Sequence, residues 1–471
     1  MSQKALKPAA KVNLPYTIPP DKLEMRASEL PEITSVTFDE LFPGFLPSIP
    51  LDRESVRAYT VKAMEKIDLS RVKPTDSVNM MASHHGFTVF GGEPYAEMLR
   101  TVRDEIERRT GTSDIRLKSG NGFRLRESEA YIKKFHLDEY FHGKAYNCSP
   151  LDRGVTIQTK IGPQVGLKAM YDATWCIHVH NTDPREVHFH RLIDRILKPF
   201  AMSFARVETR SSYHYNMGPR GGNLTARAIY ESDFVQSKLL GSCVLCFSPN
   251  GVIDIDADSD LLRLNNRITK GLLSQYGRVT TLLNEIDDVI AILDCPGPVS
   301  YVFAGGIVFG AFLSKGFDIF DLDNEVIPFT KFSTQCYDAD GNIITDRVPP
   351  ISKNIRAMIN NYSYKGYPCH FFASNVPSII VGDEMARLME FDEQNYDYRM
   401  ESMIAPSLPA AVNFTRRITG CDKFLVFDGA QGGFNCSESL REEFLARCGD
   451  VGRKVDEELL PKWLAQRGIV E

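Results

Sequence analysis

From Thr75 onward the chain alternates strand-like and helix-like stretches, and this alternation limits the possible folds more than any other feature. Ser77 to Ser83 (SVNMMAS) reads as a buried strand ending at His84-His85-Gly86. Glu93-Pro94 opens a helix, with proline in the first turn, where its missing N–H is harmless. Tyr95, Leu99, Val102 and Ile106 then follow at +4, +3 and +4 as one apolar face, and Gly111 stops the helix. Asp114 to Lys118 is a second short strand. The turn Ser119-Gly120-Asn121-Gly122-Phe123-Arg124 leads from it into a helix near Glu127. Strand, helix, strand, glycine turn and helix in this order imply a parallel sheet.

Further strands are predicted over 154–161, 173–180, 241–248 and 423–428, with helices over 187–200 and 226–240 and a helix-rich stretch over 261–297. At 471 residues the chain exceeds one ordinary core. The expected architecture is a two-domain α/β protein of mostly parallel sheets flanked by helices, with the active site in the interdomain cleft. The division expected is 1–70 as a Pro-rich extension packing on the body, 71–240 as a cofactor-binding α/β domain, and 241–471 as a second α/β domain.

Composition narrows the class of function. An apolar fraction of 43% and a charged fraction of 25% are those of a globular protein. A net charge of −6 gives no general attraction to nucleic acid or to an anionic membrane, so neither is expected as a partner. The longest apolar run, 299–313, falls short of the roughly 20 residues of a spanning helix. The N-terminus lacks the apolar core of a secretory signal, and the ten cysteines are scattered through apolar patterns. A cytoplasmic location is therefore expected. Cys243 and Cys246 form a lone CxxC with no second pair, and structural zinc wants four ligands. The alternating Asp254, Asp256 and Asp258 are read as an exposed edge face rather than a cation site. No P-loop, GxSxG elbow, HExxH motif or full dinucleotide fingerprint is present.

Chemistry concentrates between His178 and Arg220. Five of the ten histidines lie there (His178, His180, His188, His190 and His214), interleaved with Arg191, Arg195, Lys198 and Arg210. His178 and His180 share one strand face. Packing or hydrogen bonding accounts for them, as does a role at the strand end. His188, Arg191, Arg195 and Lys198 fall at +3, +4 and +3 on one helix face. That face is either a solvated basic stripe or the wall of an anion site.

His188, Lys198 and His214 are separated by ten and sixteen positions. This spacing resembles that of the nickel-pincer-nucleotide lactate racemases, as does the order of upstream elements from Thr75 to Arg220. DATWCIHVHNTDPREVH loosely mirrors the family's approach to its first residue of the set. The resemblance implies that Lys198 carries the tethered nucleotide, that His214 is a nickel ligand, and that His188 is an acid/base facing a 2-hydroxy carboxylate. Arg124 and Gly120 of the glycine turn would then contact the cofactor, and Arg191, Arg195 or Arg210 the substrate carboxylate. The family carries a second catalytic histidine in that turn, where this chain reads GNGFR; His85 or His142 is expected to take its place.

The function this implies is racemisation or epimerisation of a 2-hydroxy acid, an isomerase reaction. It proceeds by hydride transfer to and from the nickel-pincer nucleotide (a pyridinium bis-thiocarboxylate mononucleotide holding Ni), with cofactor-biosynthesis proteins as partners. Two alternatives remain. One is a metal-dependent lyase or isomerase that uses His178, His180, His188 and His190 directly; the other is a non-catalytic, anion-binding relative.

Overall fold

The computed structural model describes residues 4–8, 20–87, 92–121, 125–182, 195–215, 221–295, 318–324, 355–362, 376–390 and 396–469. The architecture is α/β, with two large, mostly parallel sheets flanked by helices. The first sheet contains β2 (Ser77–Ser83), β3 (Asp114–Gly120), β4 (Ala145–Cys148), β7 (Trp175–Asn181), β8 (Leu239–Ser248) and β9 (Gly251–Asp258). Their order is β4-β3-β2-β7-β8-β9, parallel throughout except for the β8–β9 hairpin. A small antiparallel pair, β5 (Gly154–Ile157) with β6 (Gln164–Leu167), stands beside it.

Strand alternation sends Val78, Met80, Ile177 and Val179 into one core with the helices Arg53–Met64 and Glu93–Thr110. The opposite face carries Met81, Cys176 and Cys148, packed against Leu197, Phe200 and Phe204. Cys243 and Cys246, an odd number of residues apart, enter different cores and share no site. Asp256 and Asp258 lie on the edge strand but are 8% and 5% exposed. Lys66 caps Asp256, while Arg263 and Arg267 cap Asp258, so this part of the acidic edge is covered, whereas Asp254 is exposed as expected.

The second sheet orders β1 (Ile33–Thr37), β15 (Gly433–Ser437), β14 (Phe424–Phe427), β10 (Val289–Asp294), β11 (Ile355–Tyr362), β12 (Ser378–Val381) and β13 (Met403–Ala405). Strands β14, β10, β11, β12 and β13 run parallel, and β15 is antiparallel to both of its neighbours. Strands β8 and β9 pair into the first sheet, so sheet membership changes after Asp258, and residues 33–37 form an edge strand of the second sheet.

The helix Leu261–Asn284 joins the two halves, capped at its start by Asp260, which accepts from Leu262 N and Arg263 N. Gly277 lies under Trp463, and a Cβ there would run into the indole, whereas Gly271 in the same helix faces open space. Two substitutions in one helix should therefore move stability in opposite directions. Gly277→Ala should cost about 1–3 kcal/mol through overpacking, and Gly271→Ala should gain about 0.5–1 kcal/mol from helix propensity. Paired thermal and denaturant melts measure both; equal effects would contradict the packing described.

Candidate active site

A parallel sheet presents a crevice where two neighbouring strands send their connections to opposite sides, and ligands bind outside the carboxyl ends there. In the first sheet the chain leaves β2 toward β3 on one side and leaves β7 toward β8 on the other. The crevice therefore lies between the ends of β2 and β7. The register Met81↔His178 brings Ser83-His84-His85 beside His180-Asn181-Thr182. Four of the ten histidines in the chain meet at this place.

Tyr95 fixes the two strand ends from below. Its hydroxyl donates to Val179 O at 2.6 Å and accepts from Ser83 N at 3.4 Å, and Gly86 is small because the Tyr95 ring fills its Cβ position. Above, Ser83 Oγ lies 2.9 Å from Ser203 Oγ. Gly120, at the end of β3, has no room for a side chain because the Ser203 carbonyl oxygen stands there. Residues 195–205 are thus seated directly on the strand ends.

His178 is fully buried, and its cross-strand partner Ser242 places Oγ 2.9 Å from Nδ1. The His178 ring packs 5.2 Å from His180 and against Phe200 and Phe204. Burial first, then the neighbouring His180, holds His178 well below the usual imidazole range. It is therefore neutral at pH 7, and among the described residues no group hydrogen-bonds to its Nε2. His84 is buried, lies 3.7 Å from the Glu127 carboxylate through Nε2, and packs edge-on to His85 at 3.9 Å. His85 is half-buried in the turn that leaves β2.

Lys198 opens the short helix Lys198–Ala201 and is 8% exposed, between Leu197 and Phe200, both fully buried. Arg210 sits in the helix Val207–Tyr215, with Nε donating to Ala205 O at 2.9 Å, and burial lowers its guanidinium to about 10. His214 lies one turn beyond Arg210 in that helix. Arg195 begins a 3-10 turn immediately before Lys198. His188, His190, Arg191 and Arg124 lie outside the described residues, as does most of the helix expected over 187–200; its last residues form the two turns Arg195–Leu197 and Lys198–Ala201.

The structure brings His85 to the crevice but not His142. The latter is exposed, has φ 52°, and precedes β4, at the opposite end of the strands from Ser83 and Gly120. There its Nε2 lies 3.2 Å from Arg103 Nη2. Sequence reading missed Asn121, which shapes the turn after β3: it accepts from Ser128 N at 2.9 Å and donates to Leu125 O at 2.8 Å. Tyr95 and Ser203 were also missed as site-forming residues. Among the described residues no group of three His, Cys, Asp or Glu side chains is arranged to hold a metal ion, and no helix is long and apolar enough to cross a membrane.

No family model matches the chain, and no curated protein matches it. Among solved structures, the lactate racemase apoprotein from Thermoanaerobacterium thermosaccharolyticum is similar over 83% of this chain and 95% of that one. It shows 15% identity and a TM-score of 0.45. A likeness at that level carries no function across.

Two expectations follow from the geometry. Gly120→Ala should cost about 3 kcal/mol, since the Ser203 turn must lift from the sheet; a melting temperature equal to that of the parent would refute the contact. In a histidine-selective NMR titration the His178 ring should stay neutral as pH falls through the ordinary imidazole range.

Proposed function

We propose that the chain is an isomerase that racemises or epimerises a small 2-hydroxy carboxylate in the crevice between β2 and β7. The observation that carries the reading is the gathering of His84, His85, His178 and His180 at that crevice, under the turn that bears Lys198. Imidazoles whose environments differ in burial can hold and move a proton near neutral pH. His178 is a fixed neutral hydrogen-bonding group. His85, half-buried on a turn, is the proposed partner for a hydroxyl proton, with His188 as the second acid/base.

The cofactor proposed is a nickel-pincer nucleotide joined to Lys198, with His214 as the protein ligand to nickel; imidazole and soft sulfur donors together suit this metal. Burial of Lys198 fits such a bond, because an acylated amine is neutral and a neutral amide is buried at lower cost than an ammonium. When bound, the group would supply a pyridinium ring that accepts and returns the substrate α-hydrogen as hydride. Arg210 is the described candidate to hold the carboxylate, with Arg191 and Arg195 as the alternatives. Small 2-hydroxy acids and the proteins that build the cofactor are the proposed partners, in the cytoplasm.

The test is intact-mass measurement and peptide mapping of protein co-expressed with cofactor-building enzymes, together with nickel analysis. Added mass on the Lys198 peptide, lost in Lys198→Ala along with bound nickel, is expected. An unmodified Lys198 and nickel-free protein would overturn the reading. Metal bound without a covalent nucleotide would instead favour a metal-dependent lyase or isomerase.

A further inference from the structure

Lys198 stands on an element that cannot hold its own shape. The helix Lys198–Ala201 has four residues, too few for a helix to be stable alone. Leu197, at its N-cap, offers no side-chain acceptor, and Pro199 in the first turn has no N–H to give. The 3-10 turn Arg195–Leu197 before it is shorter still. Tertiary contacts therefore fix the place of Lys198.

One set of contacts comes from the sheet, through Ser203 against Ser83 and Gly120. A second set comes from the first two turns of the helix Leu261–Asn284. Leu261 lies in one apolar cluster with Leu197 and Phe200. Its N–H donates to the Tyr230 hydroxyl at 3.2 Å, and the Tyr230 ring meets the Phe200 ring edge-on at 6.0 Å. Leu264 shares another cluster with Ile196, Val244 and Cys246.

Leu261, Leu264, Ile268 and Leu272 follow at +3, +4 and +4 as the apolar stripe of this helix, and Asn265 falls within that stripe. It is 4% exposed, a buried amide on a face that is otherwise apolar. Buried polar side chains of this kind have partners. The partner here is Ile196 N, which donates to Asn265 Oδ1 at 3.4 Å. The first N–H groups of a helical turn find no acceptor inside the turn, so an outside oxygen must supply one.

We propose that Asn265 is a positioning residue for Lys198: its amide oxygen caps the turn Arg195–Leu197 from outside and so holds Lys198 over the strand ends. The same helix continues into the core of the second half, where Leu272, Leu273, Tyr276 and Val279 pack with residues of β10 and β14. The place of Lys198 is set by an element rooted in both halves of the chain. Its catalytic meaning rests on the reading of Lys198 as the cofactor-bearing lysine; the positioning itself does not.

Two measurements on the full-length protein, made without any cofactor, test the proposal. Residue-resolved hydrogen exchange reads the Ile196 amide, and acetylation by acetic anhydride with peptide mapping reads the Lys198 amine. Asn265→Leu keeps the size and removes the acceptor; it should lose roughly tenfold in Ile196 protection and raise the Lys198 rate by a similar factor. Asn265→Asp keeps an acceptor oxygen and should restore both, whereas a residue that only filled space would be replaced by Leu without effect. Exchange and acetylation unchanged in Asn265→Leu would overturn the proposal, as would an Asn265→Asp that behaves like Asn265→Leu. If Asn265→Leu does not fold, an Ile196 amide unprotected in the unaltered protein or in Asn265→Asp overturns it, and protection in both supports it. In protein made with the cofactor-building enzymes, added mass on Lys198 should fall in Asn265→Leu and return in Asn265→Asp. An unaltered protein with no added mass overturns the function proposed above and leaves the positioning to be decided by exchange and acetylation.

Discussion

The in-register parallel pairing of β2 with β7 is the constraint on which the candidate site depends. A slip of one residue would turn His178 and His180 to the other face of the sheet, into the core now formed by Ile177 and Val179. The pairing is secured from both sides. The Tyr95 hydroxyl ties the two strand ends together below, and the Ser83–Ser203 contact seats the Lys198-bearing turn above. The side chains that could do chemistry are therefore oriented by groups that do none themselves.

The two sheets solve the same topological problem differently. Each opens a crevice where its connections diverge, at β2/β7 and at β10/β14. The first is lined by imidazoles, which tolerate burial in the neutral form. The second is lined by carboxylates, which do not, and it draws Arg26 in from a distant part of the chain.

Much of the fold was legible in the sequence. Apolar runs bounded by turns marked β2, β3, β7, β8 and β14, and proline and glycine marked the ends of the helix Glu93–Thr110. β10 was hidden because Val289–Asp294 continues the apolar pattern of the long helix before it, and a short apolar run has no period of its own. β1 was hidden because its partner lies some four hundred residues away. At the site, residue type alone pointed to histidines and did not tell His85 from His142; only their places at opposite ends of the sheet separate them. Gly120 was read as a cofactor contact in the glycine turn; its bareness also serves the close approach of Ser203. Asn121, Tyr95 and Ser203 act through contacts that no local pattern encodes.

The pairing of β1 with β15 also bears on how such a chain is made. Residues 33–37 emerge from the ribosome some four hundred residues before their partner strand, residues 433–437. The first sheet, drawn wholly from residues 77–258, can assemble while translation continues. The β1 segment must wait as an unpaired edge while the intervening residues are made, at the slow end of the range that distant contacts impose. Nascent chains arrested before residue 433 are the species in which chaperones would be expected to hold the N-terminal region.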